Sequence, residues 1–385
     1  MKKRKICVII TARPSYSRVR TALLAINEQP ELELQLVVAA SALLDRYGST
    51  INYIEADGFK IAGKVFMVIE GSTLTSSAKT TGIGIMDLAT TFDNLKPDMV
   101  CTIGDRYETM ATAIAASYMN IPLVHIQGGE VTGNIDEKVR HAITKLSDLH
   151  LVSNDDAKQR LIKMGEYEDK IHITGCPSID IAKQVLDHSK LDFDPCQKYG
   201  GVGKYIDTSK DYLVVMQHPV TTEFEMAKSQ TESLIKIVHE LNIPVFWFWP
   251  NPDAGSDGTS NALRTHREEN PDNQIRFFKN LEGADFLKLL YHSKCLIGNS
   301  SVGIRECSYL GIPVVNIGSR QNRRLRGKNV IDTDYNQENL REAILKQVKH
   351  GHYPIENLYG DGHAGIAIAN VLVNAGIEIK KVISY

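Results

Sequence analysis

Several polar clusters in this chain each follow a short apolar run, and their residue types are those that hold phosphates, hydroxyls and protons. The densest is H-I-Q-G-G-E-V-T-G-N-I-D-E-K-V-R-H, from His125 to His141. Its glycines let the backbone approach a ligand, while Glu130, Asp136, Glu137, Arg140 and His141 supply acids and bases. Asp136 equally suits the N-cap of a following helix, and Arg140 and His141 suit salt bridges along it. A second stretch, C-L-I-G-N-S-S-V-G-I-R-E-C-S-Y-L from Cys295 to Leu310, reads as strand, polar turn and helix. Gly298 permits close approach, and Asn299, Ser300 and Ser301 are good N-cap types. A helix starting with free N–H groups and serine hydroxyls is an anion site. Glu306, one turn on, can accept bonds from the paired hydroxyls of a sugar. Together they suggest a nucleotide diphosphate, although an ordinary serine-capped helix has the same pattern.

The remaining clusters are smaller. T-A-R-P-S-Y-S places Arg13 and Ser17 at the start of a first helix, where Arg13 can pair with a phosphate or remain a surface arginine. In G-D-R-Y-E, Asp105 and Arg106 form either a structural salt bridge or a carboxylate kept ionised to take a proton. Q-H-P-V-T-T offers His218 to a phosphate or a proton, and W-P-N-P-D-A-G-S offers Asn251 and Asp253. N-I-G-S-R-Q-N-R-R-L-R-G, with four arginines, is an anion-binding stretch or an exposed basic loop.

Positioning these groups requires strand ends. Apolar runs fit strands at 5–11, Leu32–Ala40, Lys64–Ile69, Met99–Ile103, Pro122–Ile126, Leu149–Val152 and Ile171–Thr174. The pattern breaks from His188 to Lys210, rich in glycine, proline and charge, then resumes at Tyr212–Gln217, Pro244–Trp249, Gln274–Phe278, Lys294–Gly298 and Val314–Ile317. Helical patterns fill the intervals, including Thr222–Asn242 and Val302–Leu310, and a last helix near His363–Ala375 suits packing back on the first domain. The reading is an α/β chain of two parallel doubly wound domains, with ligands at the strand C-termini. The boundaries expected are 1–187, a linker at 188–210, 211–362, and a returning helix at 363–385.

Two domains also suit 385 residues. A hydrophobic content of 43%, a charged content of 23% and a net charge of −2 describe a globular protein without general attraction to nucleic acid or anionic membrane. No apolar run reaches the roughly 18 residues needed to span a bilayer. The basic M-K-K-R-K start leads into an apolar run that stops at Thr11 and Arg13, too soon for a secretory signal, so a cytoplasmic protein is expected. The six cysteines show no C-x-x-C or ligand spacing and are expected as buried thiols.

Taken together, R-x-x-Y-S, G-D-R, H-I-x-G-G-E-x-x-G-x-I-D, R-H-x-I-T-K-L, Q-H-P-V-T-T, G-N-S-S-x-G-I-R-E, G-S-R-Q and Y-G-D-G make the chain resemble, over nearly its whole length, the hydrolysing UDP-N-acetylglucosamine 2-epimerases. These include bacterial sialic acid enzymes and the epimerase half of the bifunctional animal enzyme. The resemblance implies the glycosyltransferase-B fold, with the active site in the cleft between two Rossmann-like domains. It implies a UDP-sugar substrate, no metal or nicotinamide cofactor, and a homodimer or homotetramer. The implied reaction removes the proton at sugar C2 as UDP departs anti, then hydrates the 2-acetamidoglucal to N-acetylmannosamine for sialic acid-type biosynthesis.

By the same resemblance, Ser300, Ser301, Arg13, Ser17, His218 and Arg320 surround the diphosphate, with His218 also in the catalytic set. Glu306 meets the ribose, the turn at Lys279–Leu281 holds uracil through its backbone, and Asn251 and Arg106 make further contacts. Asp105 and Asp136 serve proton transfer. Where many relatives carry a glutamate this chain has Gln127, whose amide cannot take the proton. The base then falls to Asp136, Asp105 or Glu130, in that order, and Gln127 only bonds substrate. Ser15 stands where some relatives have an acid. The nearest alternative is the same reaction on a UDP-2,4-diacetamido-6-deoxy sugar. A non-hydrolysing epimerase would more often carry H-x-E-A-G, a retaining glycosyltransferase would need an acceptor site, and a nucleotide-sugar sensor would have no need of the acids.

Overall fold

The computed structural model describes residues 2–45, 48–69, 74–131, 136–250, 255–376, 379 and 381–382; the side chains of Leu74, Asp136 and Thr221 are outside that description. The chain divides into two units, the first comprising 1–130, 136–180 and 359–385, the second 131–135 and 181–358.

In the first unit the apolar runs become strands, most of them covered on both faces: β1 (Arg4–Ile10), β2 (Leu32–Ala39), β3 (Ile61–Val65), β4 (Met99–Ile103), β5 (Leu123–Ile126), β6 (Leu149–Val152) and β7 (Ile171–Ile173). They form one parallel sheet in the order β3-β2-β1-β4-β5-β6-β7. Its helices are α1 (Arg13–Glu28), α2 (Thr50–Ala56), α3 (Leu74–Leu95), α4 (Tyr107–Tyr118), α5 (Asp136–Leu146), α6 (Asp155–Lys163) and the start of α7 (Pro177–Asp187). The strand expected at Lys64–Ile69 is displaced to Ile61–Val65. The ladder with β2 takes Ile61 through Val65, while Met67 leaves it and is buried against α3.

In the second unit, α8 (Pro195–Tyr199) and β8 (Val202–Gly203) precede β9 (Leu213–Met216), α9 (Ala227–Glu240), β10 (Val245–Phe248), α10 (Ser256–Glu269), β11 (Ile275–Phe278), α11 (Gly283–Tyr291), β12 (Leu296–Gly298), α12 (Glu306–Leu310), β13 (Val314–Ile317), β14 (Val330–Thr333) and α13 (Gln337–His350). The sheet order is β14-β13-β12-β9-β10-β11-β8, parallel except for β8. The 188–210 segment, read as a linker, therefore adds an edge strand to this sheet: Val202 pairs with Phe277 and Gly203 with Arg276. A two-residue strand carries no hydropathy period, and β14 is a partly exposed edge strand with only two apolar residues. Neither stood out in the sequence. The helix expected over Thr222–Asn242 begins as a separate 3-10 turn, Thr221–Met226, because Glu223 leaves helical geometry.

The last helix, α14 (Ala364–Asn374), belongs to the first unit. Ile368, Ala369 and Leu372 share a core with Ile6, Val8 and Ile10 of β1 and with Leu23 and Ile26 of α1. Each fully buried aliphatic side chain contributes about 1.5–3 kcal/mol, ample to hold a helix of this length. Among the described residues, no helix is long and apolar enough to cross a membrane. All six cysteines are free and buried, as expected.

Candidate active site

Among the parallel strands of each sheet the order reverses once, and polar clusters follow the strands on either side of that point. In the first unit the reversal lies between β1 and β4, in the second between β9 and β12. Ligands of open α/β sheets sit outside the strand C-termini at these points.

At the first reversal, Gly104, Asp105 and Arg106 follow β4. Asp105 is 9% exposed and forms an ion pair with Arg140 of α5, itself 2% exposed. A guanidinium against a carboxylate favours its charged form. Arg140 Nη1 also donates to the backbone oxygen of Glu130, 2.9 Å away, tying two sequence clusters together. Glu130 is 5% exposed, and its Oε1 accepts from Ser153 Oγ at 2.9 Å. The sequence left Arg140 as a possible surface salt bridge; the fold makes it the hub of the site. Arg106 turns elsewhere, bonding the buried Glu108 carboxylate at 3.2 Å.

Gln127 follows β5 at φ 66°, a strained conformation for a residue with a side chain. The turn then passes through Gly129 at φ 74°, where a Cβ would lie 2.5 Å from the Ala157 carbonyl, so only glycine fits. Gln127 Nε2 donates to Cys176 Sγ at 2.9 Å, and that sulfur contacts Ser178 Oγ at 3.0 Å. Arg13 opens α1 after β1 and lies over the Tyr53 ring at 4.8 Å. Ser17 is exposed and bonds back to Arg13 O and Pro14 O of its own helix. Asp136 opens α5, but its side chain and the residues 132–135 before it lie outside the described structure, as does Asn251.

The second reversal corrects the expected serine-capped helix. Residues 301–305 form irregular turns, with backbone bonds from Gly303 to Ser300, Arg305 to Ser301 and Cys307 to Val302, and regular helix begins only at Glu306. Asn299 does not cap it. Its side chain clamps the backbone of His218, accepting from His218 N and donating to His218 O, both at 2.8 Å. Gly298, at φ 134°, allows the crossing: a Cβ there would lie 2.2 Å from Met216 O. The Asn299 carbonyl then accepts from Arg320 Nη1 at 3.1 Å and Gln321 Nε2 at 2.8 Å. Ser301 Oγ accepts from Arg305 Nη2 at 2.9 Å, and Ser300 Oγ from Val302 N at 3.4 Å. Glu306 is 8% exposed; its Oε2 is buried without a hydrogen bond, 4.0 Å from Arg305 Nε. The strand reversal thus links the His218 backbone and Arg320 through Asn299, next in sequence to Ser300, Ser301 and Glu306.

Two members were missed. Arg305 and Gln321, each 2% exposed, look in sequence like surface polar residues, and only burial distinguishes them. Of the four arginines after β13, Arg320 bonds the Asn299 carbonyl, while Arg324, 8% exposed, donates to Val131 O at 2.9 Å. Arg326 pairs with Asp332 and braces its own loop through Gln321 O and Arg324 O. Leu281 is buried after β11, and its N–H donates to Asn280 Oδ1 at 3.0 Å.

Burial, with Arg320 adding to it, lowers the His218 pKa to about 3, so the folded chain by itself holds His218 as a neutral imidazole at neutral pH. Beneath the first reversal His125, wholly buried, contacts Gly104 O at 2.9 Å and Thr144 Oγ1 at 3.2 Å, and burial lowers it to about 3 as well. The folded state refuses these protons while the unfolded chain accepts them near pH 6.5. Their stabilising contribution is therefore complete above that value and lost as pH falls toward 3. Urea unfolding at pH 7, 6 and 5 should show midpoints falling with pH. His125→Gln should flatten that dependence by about one proton; an unchanged slope would mean His125 is not buried neutral.

Residues 24–373 match the family model described as UDP-N-acetylglucosamine 2-epimerase. The chain is 36% identical over 364 residues to the UDP-N,N'-diacetylbacillosamine 2-epimerase (hydrolyzing) of Legionella pneumophila, covering 93% of each chain. It is 30% identical over 368 residues to the UDP-N-acetylglucosamine 2-epimerase of Neisseria meningitidis serogroup B, covering 94% of this chain and 91% of the other. Polysialic acid biosynthesis protein P7 of Escherichia coli is 35% identical over 332 residues, or 86% of this chain and 82% of its own. The crystal structure of a Neisseria meningitidis UDP-GlcNAc 2-epimerase bound to UDP-GlcNAc has a TM-score of 0.79 at 18% identity. The Methanocaldococcus jannaschii UDP-GlcNAc 2-epimerase in complex with UDP-GlcNAc and UDP has 0.79 at 16%; each likeness covers 96% of this chain and 100% of the other. Two seven-stranded α/β units thus match the glycosyltransferase-B-like fold of those structures.

Proposed function

The chain belongs to the UDP-N-acetylglucosamine 2-epimerase family, and from that premise we propose that it is a hydrolysing enzyme converting a UDP-2-acetamido sugar and water to the free 2-epimer and UDP. The observation that carries the reading is the Asp105–Arg140–Glu130 cluster at the first strand reversal, where one buried guanidinium pairs with the Asp105 carboxylate and holds the backbone oxygen of Glu130, whose own carboxylate accepts from Ser153. A base takes the C2 proton, the C2–H electrons become the C1–C2 double bond, and the C1–O electrons leave with the diphosphate. Water then adds hydroxyl at C1 and a proton at C2 from the opposite face. Asp136, Asp105 and Glu130 are assigned to the proton transfers. The ion pair with Arg140 fixes the Asp105 carboxylate in place, which suits orienting the substrate and stabilising charge as much as abstraction.

His218, Ser300, Ser301, Arg320, Arg13 and Ser17 are assigned to the diphosphate, whose developing charge needs preorganised donors. Glu306 is assigned to the ribose, Leu281 to uracil, and Arg106, Gln127 and Asn251 to further substrate contacts. The substrate is either UDP-N-acetylglucosamine or UDP-N,N'-diacetylbacillosamine, and the 36% identity to the Legionella enzyme favours the second. Either free product suits condensation to a sialic acid-type sugar.

Proton NMR in deuterated water with each nucleotide sugar tests the reading. Free 2-epimer carrying deuterium at C2, with UDP released, is expected, faster from the diacetamido sugar. A deuterated UDP-linked epimer would mean the non-hydrolysing reaction, and no change with either would exclude the proposal.

A further inference from the structure

The first unit contains a second buried polar cluster, at the far end of α5 from Asp136. Glu166, 3% exposed, lies between α6 and β7, and its Oε2 meets His150 Nε2 at 3.0 Å and Lys381 Nζ at 2.6 Å. Its Oε1 faces Lys145 Nζ at 2.7 Å. Burial alone would raise this carboxyl, but bonds from His150, Lys145 and Lys381 outweigh it and hold it near 2. Lys381 lies beyond α14, more than two hundred residues from α5 in sequence. Its ammonium also donates to the backbone oxygens of Thr144 at 3.0 Å and Ser147 at 2.5 Å.

An ammonium has three protons, and here three oxygens take them. Two belong to the last turn of α5 and the residue just beyond it, where the dipole favours a cation; Thr144 O also accepts from Ser147 N at 3.2 Å. Lys381 is therefore the C-terminal cap of α5, supplied from the distant end of the chain.

What α5 carries gives the cap its meaning. Arg140, one turn before Thr144, pairs with Asp105 and holds Glu130 O. Thr144 Oγ1 contacts His125 Nδ1, and His125 Nε2 contacts the carbonyl of Gly104, the residue before Asp105. Two routes thus lead from the capped turn to the same carboxylate, one along the helix and one across β5 to the end of β4. We propose that Lys381, anchored by Glu166, is a positioning residue that fixes the axial setting of α5, and with it the Arg140–Asp105 pair, for the proton-transfer step. The groups facing the ammonium are Glu166, Lys145, His150 and Asp148.

The proposal rests on the epimerase reading, so the test carries one measurement independent of turnover. In the full chain, Lys381→Met removes the three bonds, Lys381→Gln keeps a neutral donor, and Lys381→Arg keeps the charge. Hydrogen exchange of the α5 amides should quicken at least tenfold in Lys381→Met with the rest of the sheet unchanged. Turnover should fall at least tenfold, with KM and UDP affinity within threefold of the parent. Lys381→Gln should fall between them, and Lys381→Arg should recover at least half of the parent's turnover. Turnover within twofold of the parent in Lys381→Met, or UDP affinity lost in step with turnover, would overturn the proposal. A parent chain inactive on both UDP-sugars would sink the epimerase reading alone, and the exchange of α5 would still decide whether the tail caps it.

Discussion

Asp105→Asn is expected to lower kcat by about 10²–10⁴-fold, the range for removing a positioned acid or base, with UDP affinity changed less than threefold. The substitution preserves shape but takes the charge from a carboxylate that is 9% exposed and paired with an arginine only 2% exposed. Arg140 would then be buried opposite a neutral amide, and the Glu130 backbone it holds would lose its fixed reference. Breaking a buried pair from one side typically costs about 3–5 kcal/mol of stability, so kcat should be read beside thermal unfolding. The informative comparison is Arg140→Met. If Asp105 acts through the geometry of this pair, both variants should lose turnover, because Arg140→Met takes away the partner that holds the carboxylate in place. Turnover near the parent's in Asp105→Asn would remove it from the chemistry and leave Asp136 and Glu130.

Ser301→Ala combined with Arg320→Ala is expected to weaken UDP binding by about 10²-fold or more, since hydrogen bonds to charged groups contribute roughly 1.5–3 kcal/mol each and 1.4 kcal/mol is tenfold. The geometry gives the reason. Arg305 donates to the Ser301 hydroxyl oxygen, orienting that hydroxyl, while Arg320 is held beside it through the Asn299 carbonyl. Calorimetry with UDP checks the expectation without any turnover. The double variant should retain most of its stability, because Asn299 and Gln321, which brace the same turn, are untouched. Unchanged affinity would place the diphosphate elsewhere.

Much of this molecule was legible in its residues. Strands buried on both faces must be continuous apolar runs, so β1, β2, β4, β6 and β9 to β13 were visible within a residue or two, whereas the edge strands β8 and β14 were not. The polar clusters were visible too, because glycines, serines and charged residues immediately after such runs have few structural reasons to be there. What residue type and spacing cannot carry is partnership across the chain. Arg140 was one charge among several on a helix until packing of α5 against α4 and β5 set it against Asp105. Arg305 stands alone in an uncharged stretch before Glu306 and Arg320 in a run of four arginines, yet the first is a buried brace for Ser301 and the second bonds the Asn299 carbonyl. Asn299 was read as a cap because capping is local, and became a clamp on His218 because strand order places β9 beside β12. Lys381 illustrates the limit most sharply: nothing near it in sequence indicates α5, and only the return of the chain end to the first unit supplies three oxygens to its ammonium. Residue chemistry and hydropathy period are local properties and determined the two-sheet plan and the candidate groups. Desolvation and pairing depend on contacts between distant segments, so the tertiary structure decided which charges are buried and which partners they meet.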